Sequence, residues 1–185
     1  MDNVLKKHLK EAQDQETSVD YTSFSEDFWR RPEIVDYYSK LPSDEYNEVL
    51  ADSVGTTCSD GTIVIVGGAT GRLGRRVAQM FEGVEVIEVD SSKEMCRRAN
   101  QLAKEEDIAS SFISINGSAG KLPIKKDGAE HIVAGGFCRY FELSQRINFI
   151  QQMIEASSGG VTLAEGRVGE ILKNTAEKLD YETQI

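Results

Sequence analysis

The chain has 185 residues, a net charge of −10 and 39% hydrophobic residues, the composition expected of a soluble globular protein. That length allows one domain with its own core plus an appendage. No apolar run reaches the roughly 20 residues that cross a bilayer, the N-terminal MDNVLKKHLKEAQDQ has no apolar signal core, and the acidic balance opposes unaided nucleic-acid binding, which needs a cationic surface. Cys58, Cys96 and Cys138 are scattered and odd in number. They form neither a metal-spaced cluster nor a disulfide framework, so the expectation is no metal, no membrane and a reducing cytoplasm.

Residues 1–18 are polar, with Val4, Leu5 and Leu9 as their apolar stripe, and predict a short helix or a frayed end. Aromatics then gather: Tyr21, Phe24, Phe28, Trp29, Tyr37, Tyr38 and Tyr46. Asp20, Ser25 and Asp27 offer helix caps, and Pro32 and Pro42 punctuate the segment. Two readings stand for these helices: packing that fills core, or a lid whose aromatics close over a ligand. Residues 55–61, GTTCSDG, read as a linker or turn. The domain division expected is therefore 1–55, a helical segment or lid, and 56–185, the main domain.

Residues 62–74, TIVIVGGATGRLG, organise the rest. Ile63, Val64, Ile65 and Val66 run without alternation into a glycine-rich turn, the pattern of a strand buried on both faces of a parallel sheet. Gly67, Gly68, Ala69, Thr70, Gly71 and Gly74 are small enough for a ligand to come close. Helical spacing resumes over Arg72–Phe81, with Leu73, Val77, Ala78 and Phe81 on one face. Strand, glycine turn and helix N-terminus together make a nucleotide-type site. A second strand, 85–89, ends at Asp90, about 20 residues beyond the turn, where a carboxylate can accept hydrogen bonds from both ribose hydroxyls. A helix follows, capped by Ser91 or Ser92.

Ser111–Ile115 reads as the third strand, 116–126 as a loop on the ligand edge, and Ala129–Gly135 as the fourth strand. His131 lies near the start of that strand, away from the ligand edge, and reads as a structural or surface residue. Gly135, Gly136 and Phe137 come at the productive end. A helix over 141–157 is expected to end at Ser158-Gly159-Gly160, with a fifth strand over 161–164, a helix over 169–179 and a short edge strand over 181–185. The alternation predicts a doubly wound, mostly parallel α/β sheet, with ligands outside the carboxyl ends of its strands.

Taken alone, GGATGRLG resembles the dinucleotide turn of extended short-chain dehydrogenases, and IVIVGG resembles prephenate dehydrogenase starts. The first family's Tyr-x-x-x-Lys pair is missing: Tyr140 is followed four residues later by Ser144. Over roughly residues 63–167 the chain resembles class I, Rossmann-like S-adenosylmethionine-dependent methyltransferases. The resemblance rests on VEVIEVDSSKEMCRRA, INGSAGKLPIKKDGAEHIV and MIEASSGGVTLAEG, in the family's order and spacing. It implies S-adenosylmethionine held by Gly67, Gly68, Ala69, Thr70, Gly71, Asp90, Ser91, Gly117, Ser118, Ala119 and Gly135. Phe137, Arg139 and Tyr140 would line the transfer site for a small-molecule substrate. The reaction is positioning of an activated methyl, and no catalytic acid or base is named.

The motif departs from the family at three places. Ile65 stands where an acidic residue is usual, Ala69 replaces the middle glycine, and Ser118 stands where an Asp often meets the adenine amino group. These departures, with an end near the sixth strand, support one alternative, a catalytically inactive methyltransferase-like partner module; the glycine turn taken alone supports another, an NAD(P)-binding protein. The unpaired C-terminal sheet edge predicts a second copy or another protein as a cover.

Overall fold

The computed structural model describes residues 26–42, 45–58 and 60–164. The readings for 1–25 and 165–185, including the first helix, Tyr21, Phe24, the last helix and the final edge strand, lie outside the described residues. Helices α1 (Glu26–Trp29), α2 (Pro32–Lys40) and α3 (Glu45–Thr57) precede an alternating series. That series is β1 (Gly61–Val66), α4 (Arg72–Met80), β2 (Val84–Asp90), α5 (Lys93–Glu105), β3 (Phe112–Asn116), β4 (Ala129–Gly135), α6 (Leu143–Ala156) and β5 (Ser157–Ala164). All four strand pairings are parallel, in the order β3-β2-β1-β4-β5. This is the expected Rossmann-like α/β fold.

β1 is central, between β2 and β4, which explains its unbroken apolar run: Ile63, Val64, Ile65 and Val66 are each at most 2% exposed. On one face Ile63, Ile65, Val84, Val86 and Val133 meet Leu50 and Val54 of α3, Leu73 and Val77 of α4, and Ala99 of α5. On the other, Val64, Val66, Ile132 and Ala134 meet Phe149, Ile150 and Met153 of α6. Each such aliphatic side chain contributes roughly 1.5–3 kcal/mol when fully buried, so both faces hold β1 in register. Register matters for function. It brings the ends of β1, β2 and β4 level, and the order reverses between β1 and β4, where a crevice opens.

Two expectations are corrected. Residues 55–57 are not linker but the last turn of α3. α3 closes on the Phe81 ring at Gly55, where a Cβ would lie 2.2 Å from Phe81 Cζ, so the position has no room for a side chain. Likewise, Gly159-Gly160 is not a turn before β5 but part of it, since β5 starts at Ser157. The pairing with β4 shifts register between Ala129 and His131, and a Cβ on Gly159 would come 2.4 Å from the Glu130 carbonyl oxygen. The glycines thus let two backbones approach at a bulge. His131 is 4% exposed and its Nε2 is 2.8 Å from Thr162 Oγ1 on β5, the structural role expected.

Candidate active site

The glycine turn continues the sheet before leaving it. Gly67 N–H donates to the Val89 carbonyl at 2.8 Å, and Gly71 N–H to the Gly68 carbonyl at 3.0 Å. Gly67 (φ 72°), Ala69 (φ 56°) and Gly71 (φ 84°) all take left-handed backbone, which suits glycine and is uncommon for alanine. α4 then starts at Arg72, with Arg75 N–H bonding the Gly71 carbonyl at 2.8 Å.

Asp90 ends β2 beside this turn. Its Oδ2 accepts from Ala69 N–H at 3.0 Å and its Oδ1 from Ser92 N–H at 2.8 Å. Burial pushes its carboxyl above the ordinary range, against the two backbone bonds that favour the charged form. Each oxygen keeps a further lone pair for a hydroxyl donor. Asn116, at the end of β3, donates to the carbonyls of Asp90 at 3.0 Å and Ser91 at 2.9 Å and so fixes the third loop to the second. Ser92 caps α5, accepting from Met95 N–H at 3.3 Å, and its hydroxyl donates to the Trp29 carbonyl at 3.1 Å. One serine thus ties the site's edge to the N-terminal helices.

A cavity of about 440 Å³ opens at the sheet's carboxyl edge. Among the residues singled out from sequence, Gly67, Gly68, Ala69, Asp90, Ser91, Gly117, Ser118, Ala119, Gly135, Phe137 and Tyr140 line it together. Thr70 lies under the turn, 1% exposed, and Gly71 is buried at the α4 entry. Arg139 falls in the 3-10 turn Cys138–Tyr140, and its side chain is outside the described residues. Ser118 pairs with Lys121 across its own loop, and its hydroxyl accepts from Gly120 N–H at 3.2 Å.

Trp29, Tyr38 and Tyr46, which the lid reading placed over a ligand, line the cavity, as do Asn47, Arg72 and Met95, which the sequence reading did not assign to it. Trp29 packs edge-on against Tyr140, ring centroids 5.1 Å apart, and against Tyr38 at 6.0 Å. Tyr46 Oη donates to the Ala164 carbonyl at the end of β5. Ile34 of α2 is buried with Met95, while Trp29, Tyr38 and Tyr46 line the cavity. Arg72 had a signal in its place, the first helical residue after the turn.

A glycine turn, an acid one strand away and a crevice at the strand switch define a nucleotide-binding α/β protein. The family described as "Methyltransferase domain" matches residues 63–160, more than half of the chain. The chain belongs to that family, the class I S-adenosylmethionine-dependent methyltransferases. No curated protein sequence matches it. Among solved structures, it is similar to a Methanococcus maripaludis protein proposed to be an S-adenosyl-L-methionine-dependent methyltransferase: 17% identity, TM-score 0.64, covering 90% of this chain and 78% of that one. A SAM-dependent methyltransferase from Aquifex aeolicus gives 15% identity and TM-score 0.64, covering 78% and 87%. A Nostoc punctiforme protein proposed as an O-methyltransferase gives 18% identity and TM-score 0.65, covering 87% of this chain but 48%, about half, of that one.

The family cofactor is S-adenosylmethionine, and the donor set suits its nucleoside half. Asp90 offers two oxygens to vicinal hydroxyls, and the turn and Phe137 close together only because Gly67 has no side chain: a Cβ would lie 2.3 Å from the ring. Ile65 and Arg72 also line the cavity, and Arg72 Nη1 donates to the Pro42 carbonyl at 2.9 Å. No helix among the described residues is long and apolar enough to cross a membrane.

Proposed function

We propose that the chain transfers the methyl group of S-adenosylmethionine to a small-molecule acceptor held in the aromatic half of the cavity. The observation that carries this reading is that one cavity joins the glycine turn and Asp90 to Phe137, Tyr140 and Trp29. Cofactor and acceptor ends are thereby continuous, as an in-line transfer requires. When bound, the cofactor supplies a methyl already activated on a sulfonium centre. The chain's part is to place it. Asp90 accepts from the ribose hydroxyls, and Ser91, Gly117, Ser118 and Ala119 flank the base. Gly67, Gly68, Ala69 and Gly135 let the ligand approach the backbone, with Thr70 and Gly71 holding the turn from behind.

Phe137 and Tyr140 border the acceptor, with Arg139 in the same turn, and Trp29, Tyr38 and Tyr46 exclude water from it. The titratable groups in the described lining are Asp90, Arg72 and the phenols of Tyr38, Tyr46 and Tyr140. In this reading α1 and α2 act as the lid, while α3, through Leu50 and Val54, belongs to the core of the cofactor-binding domain.

Thermal unfolding with S-adenosylmethionine, S-adenosylhomocysteine, NAD and NADP tests this. A ligand at about 100 times its Kd stabilises by roughly 2.7 kcal/mol. A shift with both sulfur ligands is expected, and a shift with NADP alone overturns the reading. A second reading, a partner-binding module without transfer, rests on Ile65 and the left-handed Ala69. No shift with any of the four ligands favours it.

A further inference from the structure

Beneath the glycine turn lies a carboxyl group that the transfer reaction does not use. Glu88 is on β2 in register with Ile65, on the same sheet face as Val84 and Val86, and is 0% exposed. Its Oε1 accepts from Ser114 Oγ of β3 at 3.1 Å. The other oxygen reaches under the turn. A Cβ on Gly68 would lie 2.1 Å from Oε2, and one on Gly74 of α4 3.3 Å. Both glycines are therefore needed for turn and helix to settle onto the carboxyl.

The surroundings are unusually polar for a core. Glu88 Oε2, Thr70 Oγ1 in the turn and Arg75 Nε in α4 are all buried without a hydrogen-bond partner. The Arg75 guanidinium is paired with Glu106 through its Nη1. A buried polar group left unsatisfied costs about 1–3 kcal/mol, so a purely structural core would gain by replacing Glu88 with an aliphatic residue. Burial, and to a smaller extent the Asp90 carboxylate, push the Glu88 carboxyl well above its ordinary range, while the Ser114 bond and Arg75 act against this. Burial thus favours the protonated form more than water does, and a protonated carboxyl donates as well as accepts.

We propose that Glu88 is a positioning residue: its carboxyl, wedged between Gly68 and Gly74 and tied to Ser114, fixes the glycine turn above the sheet and thereby the seat of the cofactor. The link to the cofactor rests on the function proposed above. The link to the turn does not.

Two variants separate polar support from space filling. Glu88→Gln keeps shape, acceptor and donor; Glu88→Leu keeps apolar volume and removes both polar atoms. Amide hydrogen exchange of Gly67, Ala69 and Gly71, each a hydrogen-bond donor in the turn, is measured without ligand. The Ile132–Ala134 amides of β4 serve as the internal reference, and S-adenosylhomocysteine affinity is measured in parallel. Expected are Glu88→Gln within threefold of the parent in both readouts, and Glu88→Leu with turn exchange at least tenfold faster relative to β4, affinity at least tenfold weaker, and a melting temperature unchanged or raised. Turn exchange in Glu88→Leu that follows β4 as in the parent overturns the proposal. If Glu88→Leu does not fold, Ser114→Ala is read instead: several-fold faster turn exchange supports the role, and unchanged exchange overturns it. A parent protein that fails to bind S-adenosylhomocysteine removes the proposed function, while the exchange result still decides the role of Glu88.

Discussion

Asp90→Asn separates what the fold needs from what the site needs. The carboxylate holds two backbone N–H groups, on Ala69 and Ser92, yet burial raises its pKa above the ordinary 3.8. The sign follows from linkage. A carboxyl with a raised folded pKa stabilises the fold below the unfolded pKa, and that contribution is lost as pH rises through the folded value. At neutral pH the ionised Asp90 is therefore retained against the preference of the folded state. Asparagine relieves the desolvation but keeps only one acceptor, so the unfolding free energy at pH 7 should change by about 1 kcal/mol or less.

Binding should respond very differently to the same substitution. A charged acceptor for ribose hydroxyls contributes roughly 1.5–3 kcal/mol, a loss of roughly 10- to 150-fold in affinity. Urea unfolding and calorimetric titration with S-adenosylhomocysteine give the two numbers on one preparation. An affinity within twofold of the parent refutes the assignment of Asp90. A stability loss matching the binding loss refutes the claim that Asp90 serves the ligand rather than the fold.

Further outcomes follow from the same geometry. Burial lowers the His131 pKa below 6.5, so the neutral ring is favoured in the fold and stability should fall as pH drops below that value; His131→Gln should remove this slope in urea unfolding between pH 7.5 and 5.5, and an identical slope refutes it. Gly159→Ala meets the Glu130 backbone and should destabilise by about 1–3 kcal/mol, whereas Gly120→Ala, whose nearest neighbour is Ser118 Oγ at 3.7 Å, should stay within about 0.5 kcal/mol. Equal effects would refute the bulge. Trp29 is the chain's one tryptophan and borders the cavity, so saturating S-adenosylhomocysteine should change its fluorescence. Unaltered emission under conditions where calorimetry detects binding would place Trp29 away from the ligand.

The central strand, its turn, the following helix and Asp90 were legible because each is local: burial on both faces suppresses alternation, and a turn with left-handed residues calls for glycine. What was illegible depends on partners distant in sequence. Gly55 looks like a linker residue until Phe81 is placed against it, and Gly159-Gly160 like a turn until β4 is laid alongside. The cluster of N-terminal aromatics was plain in the sequence, but nothing local says that Trp29 meets Tyr140, more than a hundred residues on. Glu88 shows the limit most clearly. Glu85 and Glu88 lie in one strand, yet Glu85 is exposed and Glu88 is fully buried, because its inward direction is set by register with β1 and β3. Ala69 carries a similar lesson: its methyl packs beside the Ile34–Met95 cluster, joining the turn to the N-terminal helices.

The most direct test of the site is a titration of isotope-labelled protein with S-adenosylhomocysteine, followed amide by amide. Saturable shifts should concentrate at Gly67–Ala69, Ser91, Gly117–Ala119 and Gly135–Phe137, with His131 and Val161 on the far side of the sheet's edge unmoved. Absence of saturable shifts, or shifts centred away from the glycine turn and Asp90, would contradict the account.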